Sequence, residues 1–211
     1  MKLDGIRSDY KKGSLERDDL GEDPINQFSI WMEDALKARI EEPTAMTLAT
    51  ADAYGKPSAR TLLLKGYTQE GFIFYTNLSS RKGSHLEVNP HAAILFFWPA
   101  LERQIRIEGR IKVLERQQSV EYFDSRPYGS RLAASISPQS QVIPNRKFLE
   151  EKMEDLSRKY QSDKIPMPKE WGGFKLMPEY FEFWQGRANR LHDRFRYTLI
   201  DGKWNIARLA P

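Results

Sequence analysis

Cysteine is absent from the 211 residues, so disulfides, thiolate metal sites and a cysteine nucleophile are excluded. Histidine is scarce: His85, His91 and His192 are the three, and none stands in H-E-x-x-H or another ligand spacing, so no structural or catalytic metal is expected. No G-x-x-x-x-G-K-S/T loop occurs, and no G-x-G-x-x-G follows a strand, which removes the two common nucleotide cradles. A G-x-S-x-G elbow is missing too, and with it the usual serine hydrolase. No apolar run approaches the roughly 20 residues that a membrane-spanning helix needs. Residues 1–24 mix acids and bases throughout, with no apolar stretch of a secretory signal. A cytoplasmic location is therefore expected, and the lack of disulfides is compatible with it. A dominant charge is also lacking. The 33 Lys and Arg against 29 Asp and Glu leave a formal +4, which fits a solvated surface rather than a nucleic-acid footprint.

What is present is apolar and aromatic. Hydrophobic residues make up 40%, with 5 Trp, 9 Tyr and 11 Phe, enough for a sizeable core at this length. Residues 1–22 are rich in charge without a sustained period and read as a mobile arm. Residues 23–211 show no interior linker and read as a single domain. Asp23-Pro24 offers an N-cap and a proline at the first helical position, and Phe28, Trp31, Ala35, Leu36 and Ile40 follow at helical spacing. That helix is predicted to run to Glu42-Pro43.

The period then changes. Strands are predicted over Ala45–Ala51, Ser58–Tyr67, Gly71–Thr76, Ala92–Trp98 and Gln104–Leu114. Short helices are predicted over Ser79–Leu86, Gln117–Asp124 and Arg131–Ile136. A longer one begins at Asn145, with Leu149, Met153, Leu156 and Tyr160 on one face. Ser162–Gly172 reads as a loop. Strands return over Gly173–Gln185, His192–Ile200 and, after an Asp201-Gly202 turn, Lys203–Leu209. The pattern is α+β with a mostly antiparallel core, a sheet or small barrel.

Several basic residues sit beside hydroxyl groups at strand ends or helix starts: Arg60-Thr61 with Lys65, and Tyr75-Thr76 ahead of Arg81-Lys82. Tyr122, Arg126 and Ser130 are spaced four apart, and Pro127 makes a helix end followed by a turn the expected way of gathering them. A phosphate needs this mixture of cations and hydroxyl or backbone donors. Each pair alone reads equally as surface charge. The stretch Trp184–Arg194 places an indole, three arginines, a histidine and an aspartate in eleven residues. Aromatic and guanidinium planes of this kind can sandwich a flat heterocycle. They can equally be an ordinary strand pair with its charges paired.

Trp184-Gln185-Gly186 followed by Arg190-Leu191-His192-Asp193-Arg194, with Arg208-Leu209-Ala210-Pro211 behind, resembles the pyridoxine/pyridoxamine 5′-phosphate oxidase family. Arg60-Thr61-Leu62-Leu63-Leu64-Lys65, Phe74-Tyr75-Thr76-Asn77, Ser79-Arg81-Lys82-Gly83, Tyr122-Phe123 with Ser125-Arg126-Pro127, Gln139-Ser140 and Arg7-Ser8-Asp9-Tyr10 match the same family in the same order. The resemblance covers nearly the whole chain and implies an FMN-binding split β-barrel with flanking helices. It further implies a homodimer with FMN at its interface. The residues it places on FMN are Arg60, Thr61, Leu62, Leu63, Leu64, Lys65, Tyr75, Thr76, Arg81, Lys82, Gln104, Gln139, Ser140, Trp184 and Arg194. On the substrate phosphate it places Lys65, Tyr122, Arg126 and Ser130. Arg190 and His192 fall at the pyridine ring as the catalytic pair, and Arg7 and Tyr10 in a segment that folds over the occupied site. The implied activity is oxidation of pyridoxine or pyridoxamine 5′-phosphate to pyridoxal 5′-phosphate, with O2 as acceptor and H2O2 released.

Other readings are a related flavin reductase using a nicotinamide cofactor, a carrier of flavin or pyridoxal phosphate without turnover, and a β-barrel that binds single-stranded nucleic acid through exposed aromatics.

Overall fold

The structure is a computed structural model that describes residues 2–5, 9–160 and 164–211. Helix α1 spans Pro24–Lys37, with the Asp23 side chain accepting the Ile25 N–H at 2.8 Å and Pro24 in the first turn. It buries Phe28, Trp31, Met32 and Ala35. The helix stops well before the expected Glu42-Pro43. Arg39 turns left-handed (φ 52°), its N–H bonds to Leu36 O, and the Ile40 N–H reaches back to Ala35 O. This Schellman closure satisfies the last carbonyls, so the proline is not what ends the helix.

Among the described residues nine strands follow, paired antiparallel throughout: β1 (Ala45–Ala51), β2 (Pro57–Leu63), β3 (Gly66–Thr68), β4 (Gly71–Asn77), β5 (His91–Trp98), β6 (Arg103–Val113), β7 (Trp171–Gln185), β8 (Asp193–Ile200) and β9 (Lys203–Leu209). The order is β2-β1-β5-β6-β7-β4-β3, with β8 and β9 continuing from β7. Strand β7 organises this sheet. One of its edges pairs with β6 along its length. The other is shared, with β4 taking Trp171–Leu176 and β8 taking Tyr180–Gln185. The handover coincides with a bulge, where Glu108 faces Tyr180 but Gly109 faces Pro178. A proline is tolerated there because it owes no ladder hydrogen bond. The curled sheet with helices around it is the split barrel that the sequence implied.

The single strand expected over Ser58–Tyr67 is two. At the corner, Leu64 N–H still bonds to Thr44 O ahead of β1, whereas Lys65 N–H bonds to Ile73 O on β4. The chain changes partner between these two residues, and strand alternation alone carries no mark of a partner change.

Phe28, Phe72, Phe96, Ile94, Ile105, Ile107, Phe181, Phe183 and Tyr197 are fully buried in the barrel core. Phe28 meets Phe72 edge-on at 4.9 Å, a geometry that adds about 0.5–1.5 kcal/mol to the burial itself. Helices α3 (Arg116–Ser125), α4 (Tyr128–Ile136) and α5 (Lys147–Lys159) close a second cluster around Phe123, Leu132, Ile165 and Trp171. Helix α2 (Arg81–Val88) sits between β4 and β5. Of the segment expected as an arm, residues 9–20 lie along the barrel with Leu15 and Leu20 buried.

A Cβ on Gly109 would lie 2.0 Å from Met177 O across the bulge. Gly109→Ala is therefore expected to lower stability by about 2 kcal/mol or more through backbone displacement. Urea unfolding with an unchanged midpoint would show that the bulge absorbs the methyl group.

Candidate functional site

The first group of site residues surrounds the start of α2. Strand β2 lies at the edge of the sheet, so alternate backbone groups from Arg60 to Leu63 face away from β1. Arg60 reaches across β1, donating to Leu48 O (3.0 Å), Thr50 Oγ1 (2.9 Å) and Ser58 Oγ (2.8 Å). Lys82 is buried in the first turn of α2 and donates to Thr76 Oγ1 (2.9 Å), Ser80 Oγ (2.9 Å) and Gln139 Oε1 (2.6 Å). Burial, reinforced by Arg60, pushes the Lys82 ammonium down to about 8. Burial and then Arg81 lower Arg60. Among the described residues no carboxylate pairs with Arg60, Arg81 or Lys82. Three cations therefore meet at a helix N-terminus without a counter-ion, the arrangement that suits an anion.

A cleft of about 600 Å³ opens from this group. Lys65, Tyr75, Thr76, Tyr122, Arg126, Ser130, Gln139 and Trp171 are among the residues that line it. Helix α3 ends at Ser125, Arg126 is extended (φ −75°, ψ 150°), and α4 begins beyond Pro127. This helix end and turn is what the proline implied, and it brings Tyr122, Arg126 and Ser130 to one wall. The wall is aromatic: Tyr75 stacks on Tyr122 at 3.9 Å and on Trp171 at 5.5 Å. The Arg126 guanidinium lies 5.0 Å over the Trp171 ring, and its Nη1 is buried with no hydrogen-bond partner among the described residues. Burial lowers Arg126 and raises Tyr75 and Tyr122. A buried guanidinium nitrogen without an acceptor is costly, and an incoming anion removes that cost.

The second group lies at the far end of β7. Gln104, Trp184 and Arg194 occupy one row across β6, β7 and β8. Arg194 donates to the buried Glu182 (2.8 Å) and to Ala210 O (2.8 Å). His192 packs on Trp184 at 4.6 Å, and its Nδ1 accepts the Arg187 N–H at 3.1 Å. That bond needs the Nδ1 lone pair, which leaves Nε2 as the donor of the neutral ring. Burial and Arg190 lower His192, partly opposed by Asp193. Asn189 and Arg190 are successive left-handed residues (φ 57° and 62°) in the 3-10 turn that presents the exposed Arg190.

The placement of the expected residues is uneven. Leu64 turns its side chain into the core, so only its backbone faces the corner. Ser140 is left-handed (φ 72°) and exposed beyond the cleft. Tyr10 touches Trp184 and His192, whereas Arg7 lies outside the described residues. No hydrogen bond, ion pair or ring contact joins the two groups among the described residues. At roughly 3.3 Å per residue, β7 carries about 40 Å of strand between Trp171 and Trp184. Sequence reasoning missed Trp171, which fell in a presumed loop, and Ser80, whose place just before a helix was a usable signal. It also missed Glu182, whose partners are visible only through strand register.

Comparison with known proteins agrees with this architecture. Residues 32–160 match the family model of pyridoxamine 5′-phosphate oxidase. Residues 171–211 match that of the pyridoxine 5′-phosphate oxidase C-terminal dimerisation region. The pyridoxine/pyridoxamine 5′-phosphate oxidases of Crocosphaera subtropica and Neisseria gonorrhoeae are 51% and 49% identical, each over 100% of both chains. The structure of PhzG from Burkholderia lata, in complex with tetrahydrophenazine-1-carboxylic acid, superposes with a TM-score of 0.89 at 31% identity, over 93% of this chain and 98% of that one. A pyridoxamine 5′-phosphate oxidase-related, FMN binding protein from Nostoc punctiforme shares the fold at a TM-score of 0.70 and 18% identity, over 89% and 97%. With two models spanning both groups of site residues and full-length relatives near half identity, the chain belongs to the pyridoxamine 5′-phosphate oxidase family of oxidoreductases.

Proposed function

We propose that a dimer of this chain binds FMN and oxidises C4′ of pyridoxine or pyridoxamine 5′-phosphate to the aldehyde of pyridoxal 5′-phosphate. The observation that carries this reading is the pair of uncompensated cationic groups joined by one cleft. Lys82, with Arg60 close by, is bonded to Thr76 and Gln139, which line the cleft, and the orphaned Arg126 nitrogen belongs to a residue of its wall. A phosphorylated cofactor and a phosphorylated substrate need two such places. The donor set fits FMN: cations and the α2 N-terminus for its phosphate, and the open edge of β2 with Lys65, Tyr75 and Thr76 beside its rings. Gln139 and Ser140 lie on the same side. Because β7 separates the two groups in one chain, Gln104, Trp184, Arg190, His192 and Arg194 serve the cleft of a second copy. The match of residues 171–211 to a dimerisation region supports this arrangement.

The bound flavin supplies the two-electron acceptor, with O2 restoring it and leaving as H2O2. The protein positions. Lys65, Tyr122, Arg126 and Ser130 hold the substrate phosphate, and this remote binding orients C4′. Arg190 covers the open face of the pyridine ring. The Nε2–H of His192, fixed by the Arg187 N–H, donates to a ring substituent. The amine substrate requires one more step, hydrolysis of the resulting imine by water.

The deciding experiment is an absorbance spectrum of the purified protein. It is expected to show bound flavin that bleaches with pyridoxine 5′-phosphate under anaerobic conditions. Colourless protein that FMN does not reconstitute would refute the proposal, as would bleaching by NADH or by tetrahydrophenazine-1-carboxylic acid alone. Arg126→Ala is expected to raise KM at least tenfold, about 1.4 kcal/mol in binding. An unchanged KM removes Arg126 from the phosphate site. Lys82 is charged below about pH 8 in the ligand-free protein and neutral above it. FMN affinity should therefore weaken as pH rises through 8, and Lys82→Met should flatten that dependence in a fluorescence titration.

A further inference from the structure

Glu102 does not line the cleft, yet it is a buried carboxylate, 7% exposed, on a left-handed residue (φ 55°). It follows the 3-10 turn Pro99–Leu101 at the corner between β5 and β6. Its Oε2 accepts the backbone N–H of Lys11 at 2.8 Å and of Lys12 at 2.9 Å. Its own carbonyl accepts the Gly186 N–H at 2.7 Å and the Gln185 side-chain amide at 3.2 Å. One residue thus ties the end of β7, where Trp184 stands, to the chain around position 11. Among the described residues no cation pairs with this carboxylate. The two amides are therefore what offsets its desolvation.

Two further anchors continue the path. Arg187 donates to Gly13 O at 3.2 Å, and Asp193 Oδ2 accepts the Leu15 N–H at 3.1 Å. The result is a fixed place for Tyr10, edge-on to Trp184 at 5.5 Å and to His192 at 5.7 Å. Gly186 keeps that place free: a Cβ there would lie 2.7 Å from the Tyr10 ring and 3.0 Å from Glu102 Cβ.

We propose that Glu102 is a positioning residue for the ring-binding end of the site: by clasping the Lys11 and Lys12 amides it seats Tyr10 against Trp184 and His192, and so sets how tightly the pyridine ring is held. The assignment rests on the oxidase reading above, and its test has a readout that does not depend on turnover.

The full-length flavoprotein is treated with trypsin, cleavage after Lys11 and Lys12 is followed by mass spectrometry, and kinetics are measured in parallel. Glu102→Ala is expected to be cut there at least about tenfold faster than wild type, with KM for pyridoxine 5′-phosphate up roughly fivefold to tenfold and kcat within about twofold. Glu102→Gln keeps one oxygen able to accept both amides and is expected to restore both properties. Gly186→Ala keeps the carboxylate but crowds the Tyr10 ring and Glu102 Cβ, displacing Tyr10, so its KM should rise as in Glu102→Ala; it carries the test if Glu102→Ala does not fold. Faster cutting with unchanged KM overturns the proposal. So does a wild type cut as fast as Glu102→Ala, or a Glu102→Gln as impaired as Glu102→Ala. Absence of oxidase turnover in the wild type would refute the oxidase reading instead, while the trypsin comparison still decides whether Glu102 holds the segment.

Discussion

The division of one edge of β7 between two partners is the constraint on which the rest of this structure depends. A strand of 15 residues can serve two neighbours on the same side only if they meet it at different places, and the bulge near Pro178 is where one gives way to the other. Upstream, β4 brings Tyr75 and Thr76 to Trp171 and so builds the cleft. Downstream, β8 brings Arg194 into line with Trp184 and sets His192 just ahead of the strand. The same division that curls the sheet into a barrel therefore places the two groups of candidate site residues at opposite ends of it.

The cationic group at α2 is a cost that the fold carries. Lys82 is buried, close to Arg60, and engaged among the described residues only by neutral oxygens from Thr76, Ser80 and Gln139. Those oxygens replace part of its hydration but none of the missing negative charge. Arg126, stacked on Trp171 with one nitrogen unsatisfied among the described residues, is in a similar position in the wall of the cleft. The aromatic wall beside Arg126 lowers the local dielectric and so strengthens any charge pairing that a ligand brings there.

Much of this was legible in the sequence, for reasons that differ by element. Strands β1 and β9 have the predicted bounds because alternation and turn residues agree there. The Tyr122–Arg126–Ser130 wall was readable because Pro127 restricts its neighbours so strongly. Three features were not legible. The end of α1 depends on Arg39 adopting a left-handed conformation that its side chain does not announce. The break at Leu64-Lys65 is a change of partner, and a change of partner leaves alternation intact. The path of residues 9–16 rests on isolated anchors such as Glu102 and Asp193, which lie some 90 and 180 residues away along the chain and follow no period.

Strand β2 has no buried residue and is held on one side only. A bare strand edge of this kind is a template on which another extended chain can nucleate. Anything flat and polar that settles along Arg60–Leu63 also masks those backbone groups. On the proposed reading, a ligand held along this edge would also shield it from pairing with further extended chains.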